Sequence, residues 1–249
     1  GIQKGERVGL LAMNSAEFVE SYFALGTVGA VVVPLNWRLV PDELEFILKD
    51  SGTERLIFGE EFLESVTELH SRGDKTDIKH WLQIDGEQDT AFFAHSYTEF
   101  RDAGSTQPPP LGAFDDDMLY IMYTSGTTGN PKGVMIKNSA VVNLIISQTK
   151  NYSVTQDERI LLFSNYFFDA SVEQMFLALF NGATLILVDK QTIKDYAIPD
   201  FLVKHAITHI NCTPSYLETV TDFSKVKTLK RIVGGGESCS LNLAKRLSK

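Results

Sequence analysis

The chain has 249 residues, 43% of them hydrophobic, with Lys+Arg 23 against Asp+Glu 32 and a formal net charge of −9. That length supports a substantial core in one large or two smaller domains, while 22% charged residues and ordinary usage of glycine (18) and proline (8) exclude a disordered or collagen-like chain. The acidic balance excludes a nucleic-acid partner, the longest apolar run (residues 28–35) is far short of the roughly 20 residues that span a bilayer, and two cysteines, Cys212 and Cys239, fit a reducing, cytoplasmic location.

Residues 6–33 open with Glu6-Arg7, run through an apolar strand into a helix, and leave through Gly29-Ala30 into a β-branched strand. A helix over 42–50, a strand over 55–58, a second helix and a strand over 81–84 follow. Residues 105–117 then break both periodicities with three successive prolines and three aspartates, which predicts a linker. The aspartates read as a solvated turn. Beyond an apolar run at 118–123, a polar loop at 124–133 and a second apolar run at 134–136, the first pattern returns. Residues 158–188 open with Glu158-Arg159 and leave through Gly182-Ala183; a helix over 198–205, strands over 209–212 and 231–233, and a helical stretch from Leu241 complete the copy. Strands alternating with helices predict an α/β fold of two related subdomains, each a mainly parallel sheet flanked by helices. The expected division is 1–104, a linker at 105–117, and 118–249.

The loop Thr124-Ser125-Gly126-Thr127-Thr128-Gly129-Asn130-Pro131-Lys132-Gly133 combines three glycines, four hydroxyls and one lysine, a composition able to cradle a polyphosphate. It is neither a Walker loop, since Lys132 follows Pro131 and precedes Gly133, nor a G-x-G-x-x-G turn. On these residues alone a phosphate cradle and a polar hairpin are both open. TSGTTGNPKG, however, resembles the phosphate-loop signature of the adenylate-forming superfamily: acyl- and aryl-CoA synthetases, luciferases and the adenylation domains of nonribosomal peptide synthetases. The resemblance implies that Thr124, Ser125, Gly126, Thr127, Thr128, Gly129 and Lys132 hold the phosphates of ATP with Mg²⁺, Thr128 and Lys132 positioning them for catalysis. It covers the whole chain and implies an N-terminal portion, with the small C-terminal lid and its catalytic lysine absent and little adenylation by this polypeptide alone.

Phe168-Asp169-Ala170-Ser171 precedes the second copy's helix, where an aspartate reads first as a helix cap. By resemblance to amino-acid-activating domains, Asp169 faces the substrate α-ammonium, and Phe168, Ala170, Glu173, Asn211, Val233 and Gly235 line the acid pocket, with Glu173 and Asn211 suiting a polar or basic side chain. Gly235, Gly236 and Glu237 follow a strand's carboxyl end, a place where a flat group can approach the backbone, and the resemblance implies that adenine lies beside them. Residues 34–39, PLNWRL, are instead more like acyl-CoA synthetases. The five histidines show no metal spacing, so no protein-borne metal site is expected. The implied reaction is attack of a carboxylate on the α-phosphorus of ATP with release of pyrophosphate. An amino acid is the expected acid, a fatty or aryl acid the alternative; a carrier domain or CoA would take the product, and a noncatalytic ATP-binding scaffold is the reading from another class.

Overall fold

The computed structural model describes residues 1–124, 130–194, 198–220 and 222–248, and the chain divides into two units, Gly1–Ala140 and Val141–Lys249. In the first, β1 (Arg7–Leu11), α1 (Ala16–Val28), β2 (Val31–Pro34), α2 (Pro41–Asp50), β3 (Thr53–Gly59), α3 (Leu63–Ser71), β4 (His80–Ile84), β5 (His95–Ser96), α4 (Tyr97–Asp102), β6 (Met118–Thr124) and β7 (Lys132–Lys137) follow in turn. They build a seven-stranded sheet of order β5-β4-β3-β1-β2-β6-β7. All neighbours are parallel except the β6–β7 hairpin. The near-continuous apolar runs of β1 and β2 are what a sheet covered on both faces requires. Leu11, Val33, Leu44, Leu48, Leu56, Phe58 and Trp81 close the core between strands and helices. Ser15 caps α1 by accepting the Phe18 N–H at 3.2 Å, and Gly29 ends it at φ +77°, a left-handed conformation that suits glycine.

The helix α5 (Asn138–Tyr152) leads into the second unit: β8 (Arg159–Leu162), α6 (Asp169–Phe180), β9 (Thr184–Leu187), α7 (Lys190–Lys194), α8 (Ile198–Lys204), β10 (His209–Cys212), α9 (Pro214–Thr219), β11 (Arg231–Gly234) and α10 (Leu241–Leu247). Its sheet is parallel throughout, ordered β11-β10-β8-β9. That is the order β4-β3-β1-β2 of the first unit, strand for strand. The correspondence reaches single bonds: the N–H of Val31 donates to Glu6 O at 2.8 Å and that of Thr184 to Glu158 O at 2.9 Å. Gly182 ends its helix at φ +66°, as Gly29 does.

The expected linker is not the division. Gly112 donates to Thr27 O at 3.0 Å, where a Cβ would strike the Val28 carbonyl, and Lys4 pairs with Asp117 at 2.6 Å. Asp117 also accepts the Phe114 N–H at 2.7 Å, closing the turn before β6. β6 then pairs with β2 through Val32 and Tyr120, so residues 118–137 belong to the first sheet and the division follows Ala140. The prolines interrupt periodicity, but strand membership is decided by the open β2 edge and by burial of Leu119 to Met122.

Candidate active site

In the first unit, the β6–β7 ladder sets Thr124 opposite Lys132 at the carboxyl end of β6, the side of a parallel sheet where ligands bind. Both are exposed, and Lys132 forms no ion pair among the described residues, whereas Lys137 at the other end of β7 pairs with Asp116 at 2.9 Å. Ser125, Gly126, Thr127, Thr128 and Gly129 lie outside the described residues.

The second unit gathers the remaining expected residues at the carboxyl ends of its strands. Phe168, 51% exposed, is the N-cap of α6 and contributes no side-chain cap. Asp169 is the first helical residue, exposed, and among the described residues its carboxylate accepts only the neighbouring Ala170 N–H, at 2.9 Å. The sequence expectation of a capping aspartate is thus corrected: an Asp at the first helical position cannot reach back as a cap does, though it remains at the dipole's favourable end.

One turn on, Glu173 accepts a hydrogen bond from Asn211 Nδ2 at 2.8 Å, joining α6 to β10. Burial raises the Glu173 pKa above its ordinary value, and the neighbouring Gln148 and Asn211 side chains partly offset this. Oε1 of Glu173 and Oε1 of Gln148, on α5, are both buried with no donor among the described residues. Sequence reasoning missed Gln148, and also Gln174, which is fully buried. Gln174 Oε1 accepts the Phe163 and Ser164 N–H groups at 2.9 and 3.0 Å, and its Nε2 donates to Ser164 Oγ at 3.0 Å and Asn211 O at 2.9 Å. This one amide ties the exit of β8 to the exit of β10. Its polarity among the buried residues of α6, where Ser171 is the other polar side chain, was the available signal.

Val233 is half-buried on β11, and Gly235 lies beyond its end, where an added Cβ would meet nothing within 4 Å. Gly236 holds φ +82°, which favours glycine there. Glu237 is drawn to α9, accepting the Ser215 N–H at 3.1 Å and its hydroxyl, and these bonds hold its pKa below the ordinary value.

The amino ends of these strands form a packed ionic foot. Glu158, 1% exposed, accepts from Arg231 and, at 3.0 Å, from the Thr208 hydroxyl, and Lys230 lies 3.5 Å away. Burial raises its pKa, but the Thr208 and Arg231 hydrogen bonds outweigh that and hold it low. His209, fully buried, accepts from Arg231 Nε at 3.1 Å on Nδ1, and burial with Arg231 beside it pushes its pKa down to about 4. Among the described residues no three metal-ligating side chains converge, and no helix is long and apolar enough to cross a membrane.

Comparison with known proteins meets this geometry from both branches. Tyrocidine synthase 1 of Brevibacillus parabrevis is 31% identical over 99% of this chain, which spans 21% of that protein. A long-chain-fatty-acid–CoA ligase of Mycobacterium tuberculosis is 34% identical over 75% of the chain and 35% of its own length. Among solved structures, the inhibitor-bound N-terminal domain of FACL13 from Mycobacterium tuberculosis superposes with a TM-score of 0.86 at 28% identity, over all of this chain and 61% of that one. The AMP-binding enzyme family matches residues 1–249 throughout, and the chain belongs to that family, the adenylate-forming superfamily.

Proposed function

We propose that the chain binds ATP through the β6–β7 hairpin and presents an amino acid carboxylate to it, as part of an aminoacyl-adenylate-forming ligase. The observation that carries the ATP half is the exposed Lys132, without an ion pair among the described residues, beside Thr124 at the carboxyl end of β6. Lys132 and the hydroxyls of Thr124, Ser125, Thr127 and Thr128 would contact phosphate oxygens, a positioning and electrostatic role that suits phosphoryl chemistry. Mg²⁺ would be carried by the phosphates.

The acid-binding half rests on the second unit. Asp169 is exposed and, among the described residues, engaged only by a local amide, which would let it accept an α-ammonium. Asn211 and Glu173 supply polarity one turn deeper, with an unmet acceptor that suits a polar or basic side chain. The open space at Gly235 leaves room for a flat ring against the backbone. A second reading, a fatty or aryl acid–CoA ligase, is favoured by the 34% identity to the mycobacterial ligase.

Calorimetric titration with Mg·ATP tests the first half: binding weakened about tenfold by Lys132→Ala is expected, as for loss of one charge-assisted contact. Binding indifferent to that lysine would overturn it. Titration with amino acids against simple carboxylic acids separates the two acid classes, amino acid binding that Asp169→Ala abolishes being the expected result.

A further inference from the structure

Tyr123 is the residue of β6 immediately before Thr124, and its hydroxyl donates to Oδ2 of Asp50 at 2.6 Å. Asp50 is the last residue of α2, where a carboxylate lies against the negative end of the helix dipole. That placement is unfavourable unless a donor compensates it, and the tyrosine hydroxyl is such a donor. The chain around Asp50 is itself fixed, since Ser51 Oγ donates to Ile47 O at 2.7 Å and lies 2.7 Å from Thr53 Oγ1. Across the hairpin the register partner of Tyr123 is Gly133. A Cβ on Gly133 would come within 3.0 Å of Tyr123 Cζ and 2.8 Å of Ile121 Cγ2, so the ring packs over a residue that must lack a side chain.

We infer that Tyr123 is a positioning residue: its bond to Asp50, with Gly133 as the seat of its ring, fixes the mouth of the hairpin, Thr124 and Lys132, against the end of α2. The inference rests on the hairpin being the phosphate site. Tyr123 acts through its neighbours, because its hydroxyl is already engaged by Asp50.

The test pairs Mg·ATP titration with hydrogen exchange of the amides of residues 132–134 in wild type, Tyr123→Phe, Asp50→Ala and Asp50→Asn. Tyr123→Phe and Asp50→Ala are each expected to weaken Mg·ATP binding about tenfold, the scale of a hydrogen bond to a charged group, and to speed hairpin exchange by a similar factor. Asp50→Asn keeps a carbonyl acceptor and should stay within about threefold of wild type. The double variant should be no worse than either single one, as for two ends of one bond. A merely structural role would shift the unfolding midpoint and leave ATP affinity unchanged. Wild-type binding that Lys132→Ala weakens and Tyr123→Phe leaves intact, with unchanged exchange, overturns the inference and spares the phosphate reading. Absence of wild-type binding together with faster exchange in Tyr123→Phe removes the phosphate reading and leaves Tyr123 as the brace of the hairpin.

Discussion

The two sheets share one plan and differ at both ends of their strands. Near the amino ends, one row of the first sheet reads Val32, Val8, Arg55, His80, and the matching row of the second reads Leu185, Ile160, His209, Arg231. The arginine and histidine have exchanged strands. In the first unit Arg55 meets Glu6 at 3.0 Å with both groups partly exposed, and His80 stands in solvent. In the second, arginine reaches its glutamate from one strand further out and the histidine is sealed beneath it. At the carboxyl ends the first copy is conventional, with Ser15 capping α1 and Ile57 buried on β3. Aligned on Gly29 and Gly182, Phe168 and Asp169 replace Ser15 and Ala16, and Asn211 takes the register position of Ile57. One copy has kept the devices that stabilise a strand–helix unit, and the other has given them up where a ligand would approach.

The largest expected difference is at the feet. Glu158→Ala leaves Arg231 without its buried partner and should cost about 3 kcal/mol or more in denaturant unfolding, whereas Glu6→Ala at the partly exposed pair should cost about 1 kcal/mol or less. Equal costs would deny that the exchange of strands matters.

Acid should follow with a related asymmetry. His209 is neutral when folded and titrates near 6.5 when unfolded, so the unfolded chain binds the extra proton between pH 6.5 and about 4. Stability present above pH 6.5 is therefore lost through that window, at about 1.4 kcal/mol per pH unit, or about 2–3 kcal/mol by pH 4.5. Glu158, held below its ordinary pKa, adds a loss of the same sign as it protonates. Urea midpoints between pH 7 and 4.5 should fall less steeply for His209→Gln than for wild type.

The helix ends give smaller effects. Gly29→Ala should cost about 2 kcal/mol, because positive φ is joined by a close approach to the Gly112 carbonyl; Gly182→Ala, in open surroundings, should cost about 1 kcal/mol, both read from thermal unfolding. Smallest of all, Ser15→Ala should cost about 1 kcal/mol as a lost cap, against under about 0.5 kcal/mol for Asp169→Ala, whose effect should appear in amino acid binding instead.

Much of this plan is legible in the residues. The two Glu-Arg openings, the two Gly-Ala exits and the strands at 55–58, 81–84, 209–212 and 231–233 follow from short-range periodicity, and they fall within one or two residues of the observed elements. What escaped depends on pairing across the chain. The hairpin's membership of the first sheet rests on Val32 meeting Tyr120, 88 positions apart by their numbering, and no local pattern encodes that choice. The short β5 and α4 bury only Tyr97 between them, too little to leave a periodic trace. Asp169 shows the same limit within a site: the composition before α6 announces a helix start, but a shift of one residue decides whether a carboxylate caps the helix or faces outward.

The hairpin has a consequence for how the chain behaves in company. β7 is the edge strand of its sheet, with Val134 and Met135 exposed on a six-residue segment of strand-forming sequence. Such an edge invites pairing with another chain, and the lysines at its two ends, Lys132 and Lys137, oppose it by placing like charges where a second copy would align. Lys132 is thus expected to oppose self-association in addition to the phosphate contact proposed for it. Replacing both lysines with alanine is expected to increase assembly through β7, visible as a rise in light scattering over wild type before any change in fold.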